Sequence, residues 1–224
     1  MNGKNHMRRM IDVLMIVVLP LLMAYELIGR STHEWLGVTM MAMVIVHQIL
    51  NRAWYKNIFR GRYNPMRAAT LVLDLSLVML MILQAVSGIS MAKHLPDFLP
   101  KLMRRSVARG VHMTCAYWCF TLMNVHAGFH MSAMFAKIKR KMKSGTWKIL
   151  RAAVLLIAVY GAYAFVKRQL PGYMLMQIQF AFFDYEELLV FFFADYLTIM
   201  LLFALVGHGL SSLLRNRMNK ERRT

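Results

Sequence analysis

Apolar residues occur in long blocks along this chain, and short polar or basic segments separate the blocks. Five blocks approach or exceed the roughly 20 apolar residues that cross a bilayer as a helix, and a sixth is shorter. They predict transmembrane helices near residues 11–29, 34–51, 68–92, 107–135, 150–166 and 185–210. The predicted fold class is therefore all-α, a polytopic transmembrane bundle of about six helices.

Composition also indicates that lipid covers part of this chain. Of its 224 residues, 58% are hydrophobic, which is more apolar surface than one soluble core of this size would bury. The first block has the start of a signal peptide, because Lys4, Arg8 and Arg9 precede it. Residues 24–30, at its end, lack the small-x-small pattern of a cleavage site, so we expect a retained helix.

The basic residues are concentrated in one set of predicted loops. In a soluble protein, the formal net charge of +18 would suggest nucleic-acid binding. Here twenty of the 28 Lys and Arg residues fall in four segments on one side of the predicted bundle, and eight fall in the opposite loops. The four segments are residues 1–10, 52–67, 137–151 and 211–224. By the positive-inside rule we expect cytoplasmic N- and C-termini, with anionic lipid and no nucleic acid as the partner of these charges.

Histidines are regularly spaced within the hydrophobic blocks. Five of the eight lie at or inside the second and fourth predicted helices: His33, His47, His112, His126 and His130. His33 and His47 are 14 residues apart, and so are His112 and His126. Fourteen residues make nearly four helical turns, so both members of a pair lie on one face, separated by a rise of about 21 Å. Since a hydrocarbon core is about 30 Å thick, one histidine of each pair lies toward each side of the membrane.

Two haem sites are predicted from this spacing. The second and fourth helices run in the same direction, so we expect His33 level with His112, and His47 level with His126. Each facing pair can bind a haem iron from both axial sides, which predicts two b-type haems in a four-helix core. The chain has no Cys-x-x-Cys-His sequence, so these haems would be non-covalent. Hydrogen bonding between helices is the alternative role for the histidines.

A metal site without haem is less favoured by the sequence. His126 and His130 form an i, i+4 pair, but no carboxylate or thiol with ligand spacing accompanies them. His130 is 18 residues from His112 and does not match the 14-residue spacing of the partner helix. We therefore expect His130 to contact an inner propionate or a lipid headgroup.

Two arginines have equivalent positions relative to the outer histidines. Arg30 and Arg109 each lie three residues before the outer histidine of their helix. They would bind the propionates of the outer haem through paired hydrogen bonds or act as anchors at the membrane interface, and both alternatives stay open. Gly37 and Gly128 lie near the ligand faces, where close approach of a macrocycle or small-residue helix packing would explain them.

Short motifs around the histidines follow one another in a fixed order. They are His33-Glu34-Trp35-Leu36-Gly37, Val46-His47-Gln48-Ile49-Leu50-Asn51, Val111-His112-Met113, Tyr117-Trp118 and Val125-His126-Ala127-Gly128-Phe129-His130. As a set, over roughly residues 7–135, they resemble the flavinylation-associated cytochrome family. The resemblance implies a cytochrome b of the bacterial cytoplasmic membrane, coupled to extracytosolic proteins that carry covalently attached flavin.

The chain divides into a histidine-rich part and a C-terminal part. Residues 1–140 are the predicted four-helix di-haem core, and residues 141–224 are a two-helix membrane extension. Between the last two helices, segment 169–183 is apolar but short and marked by Pro and Gly, so we expect it along the outer interface. Asp195 lies deep in the last predicted helix, where it would handle protons or act at a quinone site, or else pair with an inward polar group. Asp74 is expected at the cytoplasmic interface.

The leading functional hypothesis is an electron-transfer subunit rather than a stand-alone enzyme. No nucleotide-binding fingerprint or flavin domain occurs in the chain, so it would need partners. Electrons would come from a quinol or a cytoplasmic donor and cross the cytoplasmic membrane to an extracytosolic flavoprotein. The alternative is a non-redox membrane protein, a transporter or metal-handling scaffold, whose histidines have packing or transport roles. The sequence leaves the donor, the acceptor and the direction of electron flow open.

Overall fold

The computed structural model describes residues 3–61, 63–178, 180–181 and 183–221. In chain order the helices are α1 (Gly3–Met23), α2 (Tyr25–Ile28), α3 (Arg30–Leu50), α4 (Ala53–Asn57), α5 (Pro65–Met91), α6 (Arg105–His130), α7 (Ser132–Lys141), α8 (Ser144–Lys167), α9 (Leu170–Met174) and α10 (Leu189–Glu221). No residue in the described ranges belongs to a β-strand. The predicted all-α fold class is confirmed.

The six long helices of the described chain correspond to the six apolar blocks, but several ends differ from the prediction. The first block is divided, because α1 ends at Met23 and Gly29 has a φ of 76°. The fourth helix ends at His130, and the last extends from Leu189 to Glu221. A helical backbone is held by its own hydrogen bonds, so a helix continues into polar residues where an apolar block has already ended.

Three helices of the described residues are long and apolar enough to cross a membrane: Pro65–Met91, Ser144–Lys167 and Leu189–Met218 of α10. Only 6% of the most apolar window of α5 is buried, and 17% of that of α8. These apolar side chains therefore face outward, where lipid rather than protein would cover them. The chain has the features of a membrane protein. The other long helices, α1, α3 and α6, contain six of the eight histidines of the chain.

The chain forms two compact units. The first is drawn from residues 1–62, 79–116 and 179–183. Within it α1 packs along α3, and α2 packs against the start of α3. Met40 and Cys115 are buried there.

The second unit is drawn from residues 63–78, 117–178 and 184–224, and helix α8 packs along α10 within it. Glycines allow its helices to meet closely. A Cβ atom added at Gly128 of α6 would collide with the carbonyl of Ala204, and one added at Gly207 of α10 would collide with the carbonyl of Val125. Small-residue helix packing is therefore the role that the structure gives to Gly128.

Candidate functional site

The two outer histidines lie together in the first unit. His33 is on the first turn of α3, and His112 is on α6. Their ring centres are 6.1 Å apart, and the ring planes are inclined at 71°. Two imidazoles that bind one metal from opposite sides, each at about 2 Å, have ring centres roughly 6 Å apart. The separation of these two rings would allow both of them to bind a single iron.

His33 has an incomplete set of polar contacts. Its Nδ1 atom is buried and has no hydrogen-bond partner among the described residues. The ring of Tyr25 packs against it edge-on, with centres 5.1 Å apart. A buried imidazole nitrogen without a partner is costly, which is why such atoms often mark the place of a ligand.

The protonation of the His112 ring can be deduced from its neighbour on α5. The Ser87 hydroxyl donates its single hydrogen to the carbonyl of Leu83, over 2.6 Å. The same oxygen lies 3.2 Å from His112 Nδ1, and because the hydroxyl hydrogen is used by a backbone carbonyl, this contact favours the tautomer with the hydrogen on Nδ1. The Nε2 atom of His112 then carries the lone pair of the ring, the one that could bind a metal.

Two further residues of α5 shape the surroundings of His112. The amide nitrogen of Gln84 lies 3.1 Å from Nε2 of His112, and the amide oxygen of Gln84 is buried with no partner in the described chain. A metal bound at Nε2 would take the lone pair that the Gln84 amide now uses. Gly88 makes room for the ring, since a Cβ atom there would lie 3.1 Å from Cε1 of His112. The sequence analysis did not identify these α5 residues.

Arg30 is held by protein groups at the start of α3. Its Nε donates to Glu34 over 2.9 Å, and its Nη2 donates to the carbonyl of Met91 over 2.7 Å. The Glu34 carboxylate also accepts from the backbone N–H groups of Lys93 and His94. Glu34, which the resemblance included only as part of a motif, therefore ties the start of α3 to the segment after α5.

Arg109 lies on α6, and its guanidinium is 5.1 Å from the centre of the Phe180 ring. That distance permits a cation–π interaction within the first unit. Neither arginine is thereby assigned to a propionate or to a lipid headgroup, so both predicted alternatives remain.

Each inner histidine has a carboxylate partner in its own unit. Nδ1 of His47 lies 2.8 Å from Asp12 on α1, in the first unit. Nδ1 of His126 lies 2.8 Å from Asp74 on α5, in the second unit. His130 lies beside His126, with ring centres 4.9 Å apart. Asp12 was not identified from the sequence, and Asp74, which was expected at the cytoplasmic interface, has a histidine partner.

The histidines that lie close together suit a haem better than a metal ion bound by protein side chains alone. Among the described residues, no group of three or more His, Cys, Asp and Glu side chains is arranged to hold a metal ion. A haem iron needs only two protein ligands, because the macrocycle supplies the other four nitrogens. The close pair His33 and His112 meets that smaller requirement.

Asp195 of α10 is part of an ion-pair network in the second unit. Its side chain is fully buried and accepts hydrogen bonds from Tyr160 (2.6 Å), Lys167 (2.9 Å) and Arg168 (2.8 Å). Glu187 binds the same two cations. Burial lowers the pKa of Arg168, but hydrogen bonds and charges from Glu187 and Asp195 outweigh it and raise that pKa above its ordinary value. Of the alternatives predicted for Asp195, the structure contains the pairing with polar groups.

Comparison of the chain with models of known protein families, with curated proteins and with solved structures gave no match. The resemblance to flavinylation-associated cytochromes therefore rests on the ordered motifs around the histidines.

Proposed function

We propose that this chain is a di-haem b-type cytochrome that transfers electrons across the bacterial cytoplasmic membrane. His33 and His112 would hold the outer haem, and His47 and His126 the inner one. The proposal includes six spanning helices with cytoplasmic termini. A bound haem supplies one-electron iron chemistry, which the amino acids of this chain do not provide by themselves.

The arrangement of His33 and His112 carries this proposal. Two histidines that are 79 residues apart in the sequence lie with ring centres 6.1 Å apart, a separation that would allow both to bind one iron. The Nδ1 atom of His33 is buried without a partner among the described residues. In His112 the Nδ1 atom faces Ser87, so the lone pair on Nε2 points away from that residue. The inner pair rests on the equal 14-residue spacing of His47 and His126 from these two residues.

The proposed partners follow from chemistry that this chain lacks. It has no flavin domain or nucleotide-binding fingerprint, so both the donor and the acceptor of electrons must be other molecules. The resemblance favours an extracytosolic flavin-carrying protein as acceptor. A membrane-soluble quinol is the candidate donor, since the apolar faces of α5 and α8 favour contact with lipid.

Haem counting tests the proposal. Purified protein from haem-replete cells should show the reduced spectrum of a low-spin bis-histidine haem, and a pyridine haemochrome assay should give two haems per chain. His33→Ala should reduce this ratio to one, because the outer iron loses an axial ligand. His6→Ala is the matched control, since His6 is an exposed residue of α1 outside the proposed ligand set. A wild-type ratio near zero, or equal ratios in the two variants, would refute the assignment.

One observation favours a second candidate, proton-coupled transport without haem. Asp12 with His47 and Asp74 with His126 are acid–imidazole pairs inside long helices, and such pairs occur in the proton relays of pumps and transporters. The haem assay separates the two functions, because a transporter of this kind would purify without haem.

A further inference from the structure

Charge is unusually distributed in the connection between α5 and α6. Eight Lys and Arg residues of the chain lie outside the four basic segments, and four of these eight fall within residues 93–105. They are Lys93, Lys101, Arg104 and Arg105, and Asp97 is the only acidic residue among them in the sequence. The positive-inside rule disfavours basic residues in the loops opposite the cytoplasmic side, so this cluster requires another explanation.

The surface of this 93–105 segment is both cationic and apolar. All four basic residues are exposed, and between them Phe98 and Leu102 are 84% and 69% exposed. Phe and Arg are enriched in protein–protein interfaces, where an apolar centre lies within a polar rim. The exposed groups of the segment therefore have the composition of a protein interface.

Hydrogen bonds hold the segment beside the outer histidines in the first unit. Glu34, which follows the first outer histidine on α3, accepts from the backbone N–H of Lys93 over 3.0 Å. Near the other end of the segment, the backbone N–H of Met103 donates to the hydroxyl of Ser90 on α5 over 3.2 Å. The segment is thus fixed to α3, which carries one outer histidine, and to α5, whose Ser87 contacts the other.

Electron-transfer complexes are typically weak and small, with less than about 1,200 Å² of buried surface. Charge complementarity, more than contact area, then brings the partners together and selects between them. We propose that the 93–105 segment is the docking surface of the outer site for its electron acceptor, a protein with an acidic face beside its redox group. This inference rests on the proposed function and adds the chemistry of the partner. One electron passes to the acceptor while the iron of the outer site goes from ferrous to ferric, and no proton or atom is transferred.

Two redox proteins of opposite charge serve as probes of this surface. Plastocyanin is acidic, mitochondrial cytochrome c is basic, and each accepts one electron. Right-side-out membrane vesicles that contain the pre-reduced holoprotein expose only its outer face to them. Lys101→Glu combined with Arg104→Glu should slow reoxidation of the haem by plastocyanin about 10-fold, because charged surfaces raise association rates by at least this factor. The same variant should not slow reoxidation by cytochrome c, whereas a merely misfolded variant would slow both.

Lys139→Glu combined with Arg140→Glu is the matched control. It makes the same change of charge at exposed residues of α7, in a basic segment expected on the cytoplasmic side, and should slow neither probe. Equal effects of the Lys101 and Arg104 variant on the two probes would overturn the proposal. Slower reaction of plastocyanin with the α7 variant alone would also overturn it. Vesicles in which the protein contains no haem would overturn the proposed function as well.

Cysteine labelling distinguishes a surface open to a protein from one covered by lipid, and it needs no haem. Both native cysteines are buried, so a membrane-impermeant maleimide should react mainly with an introduced thiol. We expect Phe98→Cys to be labelled in the same vesicles. Ile82→Cys, on the outward apolar surface of α5, should stay unlabelled. Protection of Phe98→Cys would show that lipid covers the segment and would overturn the proposal.

Discussion

Ser87 shows, at the scale of single residues, how one hydroxyl can set the chemistry of a neighbouring ring. Its hydrogen is donated to the Leu83 carbonyl, four residues earlier on α5. Its oxygen is then left to accept from His112, which favours the form of that ring with the hydrogen on Nδ1. A residue that touches no proposed cofactor thus decides which nitrogen of a proposed ligand is available.

Replacement of this hydroxyl should weaken the outer site. We expect Ser87→Ala to release haem about 10-fold to 100-fold more readily than wild type, because His112 loses the acceptor that orients it. Haem retention after dilution in detergent would measure this. Ser90→Ala is the matched control, since Ser90 is also buried on α5 but bonds to Val86 and Met103. Equal haem loss from the two variants would contradict the orienting role.

The buried ion-pair network leads to a second prediction at this scale. Asp195→Asn removes the charge that faces Lys167 and Arg168, and breaking a buried pair by removing one partner costs about 3–5 kcal/mol. Thermal unfolding in detergent should show a large loss of stability. Asp184→Asn, at an exposed acid before α10, should leave the unfolding temperature nearly unchanged. Similar temperatures for the two variants would show that the network contributes little.

Close backbone approach decides the packing at the scale of helices. Within the second unit α10 meets α6 at Gly207 and Gly128, where any side chain would collide with a carbonyl of the other helix. Such contacts replace the hydrophobic effect as the source of helix association in lipid, because lipid tails are as apolar as the side chains. Packing in this unit therefore depends on the absence of a methyl group at these positions.

Two glycines of α10 offer a matched test of this packing. Gly207→Ala should destabilise the protein, because its Cβ has no space beside Val125. Gly209→Ala, two residues later, has no atom within 4 Å of the added Cβ and should be neutral or slightly stabilising, by about 0.5–1 kcal/mol. Unfolding of both variants in the same detergent gives the comparison. A stable Gly207→Ala protein would argue against tight packing at this point.

Charge distribution is the dominant feature at the scale of the whole chain. Twenty of its 28 basic residues fall in four segments that alternate with the rest of the loops along the sequence. The helices between these segments include α5, α8 and α10, which are long and apolar enough to cross a membrane. By the positive-inside rule we expect the four basic segments in the cytoplasm.

Reporter fusions test that orientation. Alkaline phosphatase, which is active only outside the cytoplasm, should be inactive when fused after Thr224. The same reporter fused after Pro100, between α5 and α6, should be active, because that loop is on the opposite side of the predicted membrane. The reverse pattern would invert the topology and exchange the inner and outer sites.

Local features of the sequence predicted the helices but not the partners of the histidines. The all-α class and the apolar lengths depend on composition and periodicity, which a sequence displays directly. The contacts of Asp12 with His47 and of Asp74 with His126 join residues 35 and 52 positions apart. No local pattern encodes such pairs. The sequence signal for these pairs is an acidic residue inside an apolar block. For Asp74 this signal led only to the prediction of a position at the membrane interface.

The sequence by itself determined the helical class, the apolar lengths and the charge asymmetry, because each depends on which residues are close along the chain. Only the tertiary structure decided that His33 lies beside His112, that Ser87 orients the second ring, and that Gly128 packs against another helix. These contacts depend on how closely helices approach and how far they rotate about their axes. Side-chain volume across the whole interface sets both quantities, so no single segment of sequence contains them.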